Sequence, residues 1–368
     1  MARTIRAAVL ERPGTPLRTE ELELADPGPG QVLVRTAASG VCRSDLHQAD
    51  GDWGDPGPIV LGHECAGFVE ELGPGVEGVR PGDLVALNWF CACEACASCL
   101  AGRPWSCTGT LALDNRLPDG STPLRRPDGS EVLPMLAVGA FAEAAVVASQ
   151  AAVPMSEGIS PEVAALIGCG VTTGVMAVLR TAEVPPGATV TVIGLGGVGL
   201  SCVMGAVVAG ASEIVAVDRV PAKLERAEQL GATRTILADD EARTRSQIAD
   251  ATGGGPAYAF EAIGLTSTIE LAIDVLAPGG TAVIVGITPF GHRASFDTAT
   301  LVDKSARIVG SNYGWSIPSE DFPRLARLVL DGRLPVDRLI EGRIGLEGVN
   351  AALDALRLGE GLRRVIVF

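Results

Sequence analysis

Histidine is scarce in this chain: three residues in 368, at positions 47, 63 and 292. Long apolar runs are lacking as well. Glycine, proline or a charge interrupts each of them before the ~18 residues that a membrane span requires, which predicts a protein that does not cross a membrane. The N-terminus, MARTIRAAVLERPGTP, has no apolar core of about 7 to 15 residues followed by a small-residue cleavage site, so a cytoplasmic location is expected. No cluster of lysine and arginine offsets the formal charge of −15. A surface that acidic repels a phosphate backbone or an anionic bilayer, which excludes nucleic acid and membrane as partners.

What is present is a globular balance of 47% hydrophobic and 20% charged residues, in a chain too long for one hydrophobic core. Two domains are expected. The first ~150 residues read as short strands broken by Gly and Pro, among them 31–38 (QVLVRTAA), 68–72 (FVEEL) and 83–87 (DLVAL). From about 170 the pattern changes to continuously apolar strands alternating with helical stretches: TVTVIG, LSCVMGAVVAG, IVAVD, PAKLERAEQLGA, AYAFEAIG and TAVIVGI. Alternation of this kind predicts βαβ units around a parallel sheet covered on both faces, an α/β doubly wound domain. After about 312 come a helix (FPRLARLVLDG), a mixed segment (GVNAALDALRLGEG) and a final strand (RRVIVF). Residues 114–131, DNRLPDGSTPLRRPDGSE, are polar and rich in Pro and Gly, and read as one long surface loop.

The run GLGGVG, Gly194 to Gly199 with Gly196, Gly197 and Val198 between, follows a predicted strand and opens a predicted helix. In that context the first glycine permits a tight turn, the second lets backbone approach a pyrophosphate, and the third lets helix and strand pack closely, with the helix N-terminus facing the anion. Asp218 closes the next strand, where a carboxylate accepts ribose hydroxyls and repels a 2′-phosphate, so NAD is favoured over NADP. Arg219 beside it pulls weakly the other way, because an arginine there can receive such a phosphate.

Nine cysteines in a chain without a leader are expected to stay reduced, and closely spaced ones then read as metal ligands. Cys93, Cys96, Cys99 and Cys107 follow the spacing C-x2-C-x2-C-x7-C, which suits a closed, all-thiolate structural zinc site. Cys91 is one thiol too many and a possible competitor. Cys42, His63 and the distant Cys169 supply two thiolates and one imidazole, leaving a fourth zinc position open, as catalysis requires.

Taken together, CRSDLH, GHE, the four-cysteine lobe, GCGVTTG, GLGGVG, VDRVPAK and LRRVIVF resemble the zinc-dependent medium-chain alcohol dehydrogenase family, in order and over nearly the whole chain. The resemblance implies a GroES-like, mostly β catalytic domain over 1–170, completed by 313–368, and a Rossmann domain over 171–312, with the active site between them. It implies catalytic zinc ligands at Cys42, His63 and Cys169, with Glu64 and Asp45 supporting them, Asp45 orienting His63. Arg43 and Arg363 then correspond to pyrophosphate contacts, Asp218 and Lys223 to adenosine-ribose contacts, and Thr173 to the residue beside the nicotinamide. Trp53 and Trp89 should line the substrate pocket and narrow it towards small primary alcohols. Two departures stand out: Leu46, where some members carry an acid, and Cys91 ahead of the lobe.

The activity so implied is hydride transfer between an alcohol and NAD, with two zinc ions per subunit in a homodimer or homotetramer that pairs sheet edges near 281–315. Zinc lowers the pKa of the alcohol hydroxyl, and its proton passes from Ser44 through the cofactor ribose to His47, a residue type whose unperturbed pKa of ~6.5 suits relay work. A rival within the family is a thiol-dependent formaldehyde dehydrogenase, whose anionic adduct Arg125 and Arg126 in the 114–131 loop would serve. A rival of another class is a nucleotide-binding protein without catalysis.

Overall fold

The computed structural model describes residues 3–359 and 361–368. Met1, Ala2 and Glu360, which the readings of the N-terminus and of the 348–361 segment include, lie outside the described residues. The chain divides into two units, Met1–Cys169 with Ile317–Gly332 and Val336–Phe368, and Gly170–Ser316 with Arg333–Pro335.

The first unit is organised by its longest strand, Gln31–Gly40. Nearly all of its residues are buried, because it has neighbours along both edges. It pairs antiparallel with Glu64–Leu72, with Ala144–Ala148 beside its first half, and with the C-terminal strand Arg363–Val367 beside its end. The register sets Glu64 and Val365 opposite Gly40. A Cβ on Gly40 would lie 2.1 Å from Glu64 Oε2, so glycine is required there for the carboxylate to cross the strand. Strands Leu84–Leu87, Ala152–Pro154 and Ile340–Ile344 complete this sheet. A separate closed barrel is formed by Arg3–Leu10, Arg18–Leu24, Leu124–Arg125, Glu131–Pro134 and Ile59–Val60, filled by Leu10, Leu22, Leu24, Ile59, Leu117 and Phe141.

In the second unit six parallel strands run in the order Arg234–Leu237, Glu213–Asp218, Thr189–Ile193, Tyr258–Glu261, Thr281–Ile284, Arg307–Gly310. The order reverses direction beside Thr189–Ile193, the place where a doubly wound sheet opens a ligand crevice. Local chemistry sets the helices between the strands. Gly196 caps Gly197–Ala209, which Gly210 ends in the left-handed region. Pro221 opens Pro221–Gln229, and the Asp240 carboxylate accepts the Arg243 amide at the start of Glu241–Thr252.

Two expectations are corrected. The 114–131 segment is not a surface loop. Leu124–Arg125 and Glu131–Pro134 form a hairpin of the barrel, with Leu124 opposite Val132, and Leu117 and Leu124 are buried in its core. The repeated PDGS sequences are tight turns: Asp119 accepts the amide and hydroxyl of Ser121, and Asp128 those of Ser130. Strands of two residues are too short to show alternation, and the turns between them hid the sheet.

The second correction concerns apolar runs. Pro161–Thr181 is a helical segment of 21 residues, long and apolar enough to cross a membrane, with an 18-residue window of mean hydropathy 1.8, yet 83% of that window is buried within the protein. Its glycines, taken as interruptions, do not break it; they permit close approach. A Cβ on Gly168 would lie 2.9 Å from the Leu87 carbonyl oxygen, and one on Gly174 2.3 Å from that of Val198.

Gly199 and Gly196 offer a test of the same packing argument. A Cβ on Gly199 would sit 1.7 Å from the Gly194 carbonyl oxygen, whereas one on Gly196 meets no atom within 4 Å. Gly199→Ala should therefore lower stability by about 1–3 kcal/mol, and Gly196→Ser, which keeps a favourable cap, by less than about 0.5 kcal/mol. Urea midpoints followed by circular dichroism check this; equal midpoints for the two variants would contradict the close packing at Gly199.

Candidate active site

Three turns of chain converge on one buried cluster in the first unit. Cys42 caps the helix Arg43–Asp50, His63 immediately precedes and Glu64 begins the strand Glu64–Leu72, and Cys169 lies in the π-helical turn Ile167–Val171, a widening of the helix that recurs at functional sites. One ligand atom each from Cys42, His63, Glu64 and Cys169 lies within 4.8 Å of the others, and all four residues are buried.

Asp45 holds this arrangement. Its Oδ2 accepts the Cys42 amide at 2.8 Å, and its Oδ1 accepts the Gly62 amide and His63 Nδ1, each at 3.0 Å. A carboxylate only accepts, so His63 Nδ1 carries the hydrogen and Nε2 points into the cluster, buried and without a hydrogen-bond partner. An orphaned imidazole nitrogen facing two thiols and a carboxylate is the donor set that a zinc ion fits.

The electrostatics agree. The hydrogen bond from Cys169 holds the Cys42 thiol well below its usual range, against burial, and the same bond pushes Cys169 up. Burial opposes a charged His63, but Asp45 and Cys42 outweigh it and raise its pKa. A cluster that binds protons this way exchanges them for a divalent cation. Burial pushes Glu64 up to about 8, opposed by Arg363. Arg363, for which the resemblance implies a pyrophosphate contact, is buried; its Nη2 lies 3.1 Å from Glu64 Oε1 and its Nη1 donates to the Val41 carbonyl at 3.1 Å. Its immediate partner is thus Glu64 of this cluster.

The helix that starts at Cys42 carries further candidates. Ser44 and His47 are half-buried and stand three residues apart, on one face. His47 Nδ1 is 2.6 Å from Asp52 Oδ2, and its ring stacks on Trp53 with centroids 5.5 Å apart. Trp89 meets His63 edge-on at 6.3 Å, so the two tryptophans stand beside two different histidines. Arg43 is exposed and donates to the Leu356 carbonyl. Leu46 is buried in the barrel-side core, which an acid could not share. Sequence reasoning missed Asp52; its one signal is a place just past the helix-ending Gly51.

Cys93, Cys96, Cys99 and Cys107 also bring their sulfurs within 4.8 Å of one another. Backbone amides of Cys93 and Gly109 point at Cys107 Sγ and that of Cys96 at Cys93 Sγ. Amides of Cys99 and Thr108 draw Cys96 down to about 5, while burial and the thiols of Cys96 and Cys107 push Cys99 up to about 12. Cys91 is outside the cluster: it packs against the sheet core, and burial pushes it up to about 12. The concern that it competes as a ligand is removed.

In the second unit Gly194 has φ +92°, and the Leu195 amide donates to Asp218 Oδ2 at 2.7 Å while the Val220 amide donates to Oδ1 at 2.9 Å. The carboxylate therefore ties the glycine turn to the end of the neighbouring strand. Gly197 and Val198 form the first turn of the helix above it, Lys223 is half-buried in the first turn of Pro221–Gln229, and Thr173 is half-buried in Thr172–Met176. The open space at Gly196, at the N-terminus of the helix Gly197–Ala209, fits a dinucleotide phosphate.

The arginines proposed for an anionic thiol adduct are engaged elsewhere. Arg126 pairs with Glu11 and Glu20, and Arg125 with Glu131.

Known proteins bear on the chain as a whole. The alcohol dehydrogenase GroES-like domain family matches residues 28–157, and the zinc-binding dehydrogenase family residues 197–331. The chain is 38% identical over 369 residues to an NDMA-dependent alcohol dehydrogenase of Amycolatopsis methanolica, covering 98% of each. It is 33% identical over 376 residues to an S-(hydroxymethyl)glutathione dehydrogenase of Paracoccus denitrificans, covering 99% of each. The crystal structure of an alcohol dehydrogenase zinc-binding domain protein from Burkholderia ambifaria matches with a TM-score of 0.95 at 36% identity, over 100% of both chains. With the GroES-like β unit, the doubly wound Rossmann unit and the clustered thiols and imidazole on the same chain, this protein belongs to the zinc-dependent medium-chain alcohol dehydrogenase family of oxidoreductases.

Proposed function

We propose that the chain interconverts a small alcohol, primary by preference, and its carbonyl partner with NAD, using one catalytic and one structural zinc ion. The observation that carries this reading is the buried cluster of Cys42, His63, Glu64 and Cys169 around the unpartnered His63 Nε2. Zinc bound there supplies a Lewis acid that lowers the pKa of an oxygen donor, and NAD supplies the hydride acceptor.

The residues of the chain divide the remaining work. Cys42, His63 and Cys169 hold the catalytic ion, and Asp45 and Glu64 orient and balance them. Cys93, Cys96, Cys99 and Cys107 hold the structural one. Gly194, Gly196, Gly197, Val198 and Gly199 receive the pyrophosphate with Arg43 and Arg363, Asp218 and Lys223 the ribose, and Thr173 the nicotinamide. Ser44 takes the hydroxyl proton and His47 delivers it to water. Trp89, edge-on to His63, and Trp53 narrow the pocket. The exposed edge strand Arg307–Gly310, with Phe290, Phe296 and Val302 exposed nearby, supports a homodimer or homotetramer. The working location is the cytoplasm, and the partners are small alcohols and aldehydes.

The test is the initial rate of NADH appearance with a panel of primary, secondary and aromatic alcohols, repeated with added low-molecular-weight thiol and with NDMA as acceptor, as the names of two relatives suggest. A rate with NAD and alcohol alone supports the proposal; a rate only with thiol identifies the adduct enzyme, and NADH binding without turnover the non-catalytic binder.

Two predictions follow from the assigned roles. Metal analysis should find two zinc equivalents per chain, falling to one in Cys99→Ser and to one in Cys42→Ser; loss of both from either variant would refute two independent sites. His47→Gln should lower kcat by about tenfold near pH 6 and much less near pH 9, where hydroxide takes the proton directly. An unchanged ratio across that range would refute the relay.

A further inference from the structure

The chain that follows the helix Arg43–Asp50 folds back onto His47. The helix Arg43–Asp50 ends at Gly51, whose φ is +86°, and the amides of Gly51 and Asp52 both return to the His47 carbonyl, at 3.1 and 3.0 Å. Gly54 then donates to Gly51, and the Gln48 side chain reaches the Gly54 carbonyl at 3.1 Å. This reversal brings the next two side chains onto one imidazole. Asp52 takes Nδ1 at 2.6 Å, and Trp53, itself packed against the barrel core, stacks on the ring face with an interplanar angle of 26°. The histidine side chain is 14% exposed and the aspartate 34%, so the pair is shielded from water without being sealed off.

We infer that Asp52 is a positioning residue for His47: it fixes the ring in the tautomer with hydrogen on Nδ1, leaving Nε2 as the atom that accepts the relayed proton. The inference rests on the relay assigned to His47 above. An ionised carboxylate accepts hydrogen bonds and cannot donate them, so a 2.6 Å contact to Nδ1 places the hydrogen there and the lone pair on Nε2. A free neutral histidine favours the opposite tautomer, whose Nε2 already carries hydrogen and can accept nothing. Trp53 adds the second constraint, since a ring held at one edge still rotates unless a face is covered. For each alcohol oxidised, one hydride leaves carbon for the nicotinamide and one proton leaves oxygen. That proton arrives at Nε2, makes the ring an imidazolium, and departs from Nε2 to water. Asp52 keeps its hydrogen bond throughout and takes no proton itself, as the aspartate of a Ser-His-Asp triad does not.

The test uses zinc-loaded protein with isotope-labelled histidine. Only three histidines are present, so His47→Gln assigns the signal, and the imidazole nitrogen shifts, followed as the pH is raised until they stop changing, report the tautomer of the neutral ring without turnover. Wild-type His47 is expected as the Nδ1–H form. Asp52→Ala should convert it mainly to Nε2–H and lower kcat by about tenfold with KM within about twofold. Asp52→Asn, whose side-chain oxygen still accepts from Nδ1, should keep the wild-type tautomer and recover most of kcat; it also keeps the inference testable if the alanine variant fails to fold. An Nε2–H signal in the wild type, or an Asp52→Ala spectrum identical to wild type, overturns the clamp. His47→Gln turning over like wild type at every pH, with the spectra as expected, overturns the relay while supporting the clamp, so the two failures are distinguishable.

Discussion

Asp45 ties the Cys42 amide, the Gly62 amide and the His63 ring into one unit with a single fully buried carboxylate. Hydrogen bonds to a charged group contribute about 1.5–3 kcal/mol each, and removing this acceptor would leave three buried donors without one. The arrangement also determines which nitrogen of His63 is bare. Placing thiols and imidazole at the right separation is of little use if the imidazole offers a hydrogen instead of a lone pair. Asp45 settles that by chemistry, because it can only accept.

The same helix extends this control outward. Its cap is a thiol of the cluster, its first turn holds Asp45, and its second turn presents His47. Two histidines therefore each meet a carboxylate at Nδ1, Asp45 for His63 and Asp52 for His47, and both leave Nε2 for chemistry. One is buried, the other partly open to water. The difference in exposure fits the separate tasks proposed for them, holding a cation and passing a proton.

Much of this was legible in the residues before any coordinates. Histidine is rare enough, at three residues, that His63 stands out; its joint pattern with Cys42 and Cys169 suggests a ligand set, the family resemblance implies their roles, and the structure brings the three within reach of one another. The alternation of apolar strands with helices outlined the second unit, because strands buried on both faces have an unmistakable run of Val, Ile and Ala. Other features had no local signal. The pair Glu64 and Arg363 joins positions far apart in sequence, across strands whose register no pattern reveals. The barrel hairpin around Leu124 is two residues wide on one side, below the length at which alternation is visible. Glycines in Pro161–Thr181 look like interruptions in text, but in space they are the points where the helix touches backbone. Asp52 reads as one more solvated acid until the left-handed turn at Gly51 folds it back.

The C-terminal strand Arg363–Val367 has a consequence for the order in which the molecule is made. It lies against Gln31–Gly40, a strand translated near the beginning, and the second unit, Gly170–Ser316, is inserted between them in sequence. A nascent chain leaving the ribosome can finish the inserted Rossmann unit while the unit that surrounds it in sequence is still missing a strand. Domains fold as they emerge, so a strand synthesised after the whole of the inserted unit joins the sheet and delivers the guanidinium that balances Glu64. Until that strand arrives, Cys42, His63, Glu64 and Cys169 stand in an unfinished sheet, so the buried cluster depends on a segment made after the inserted unit.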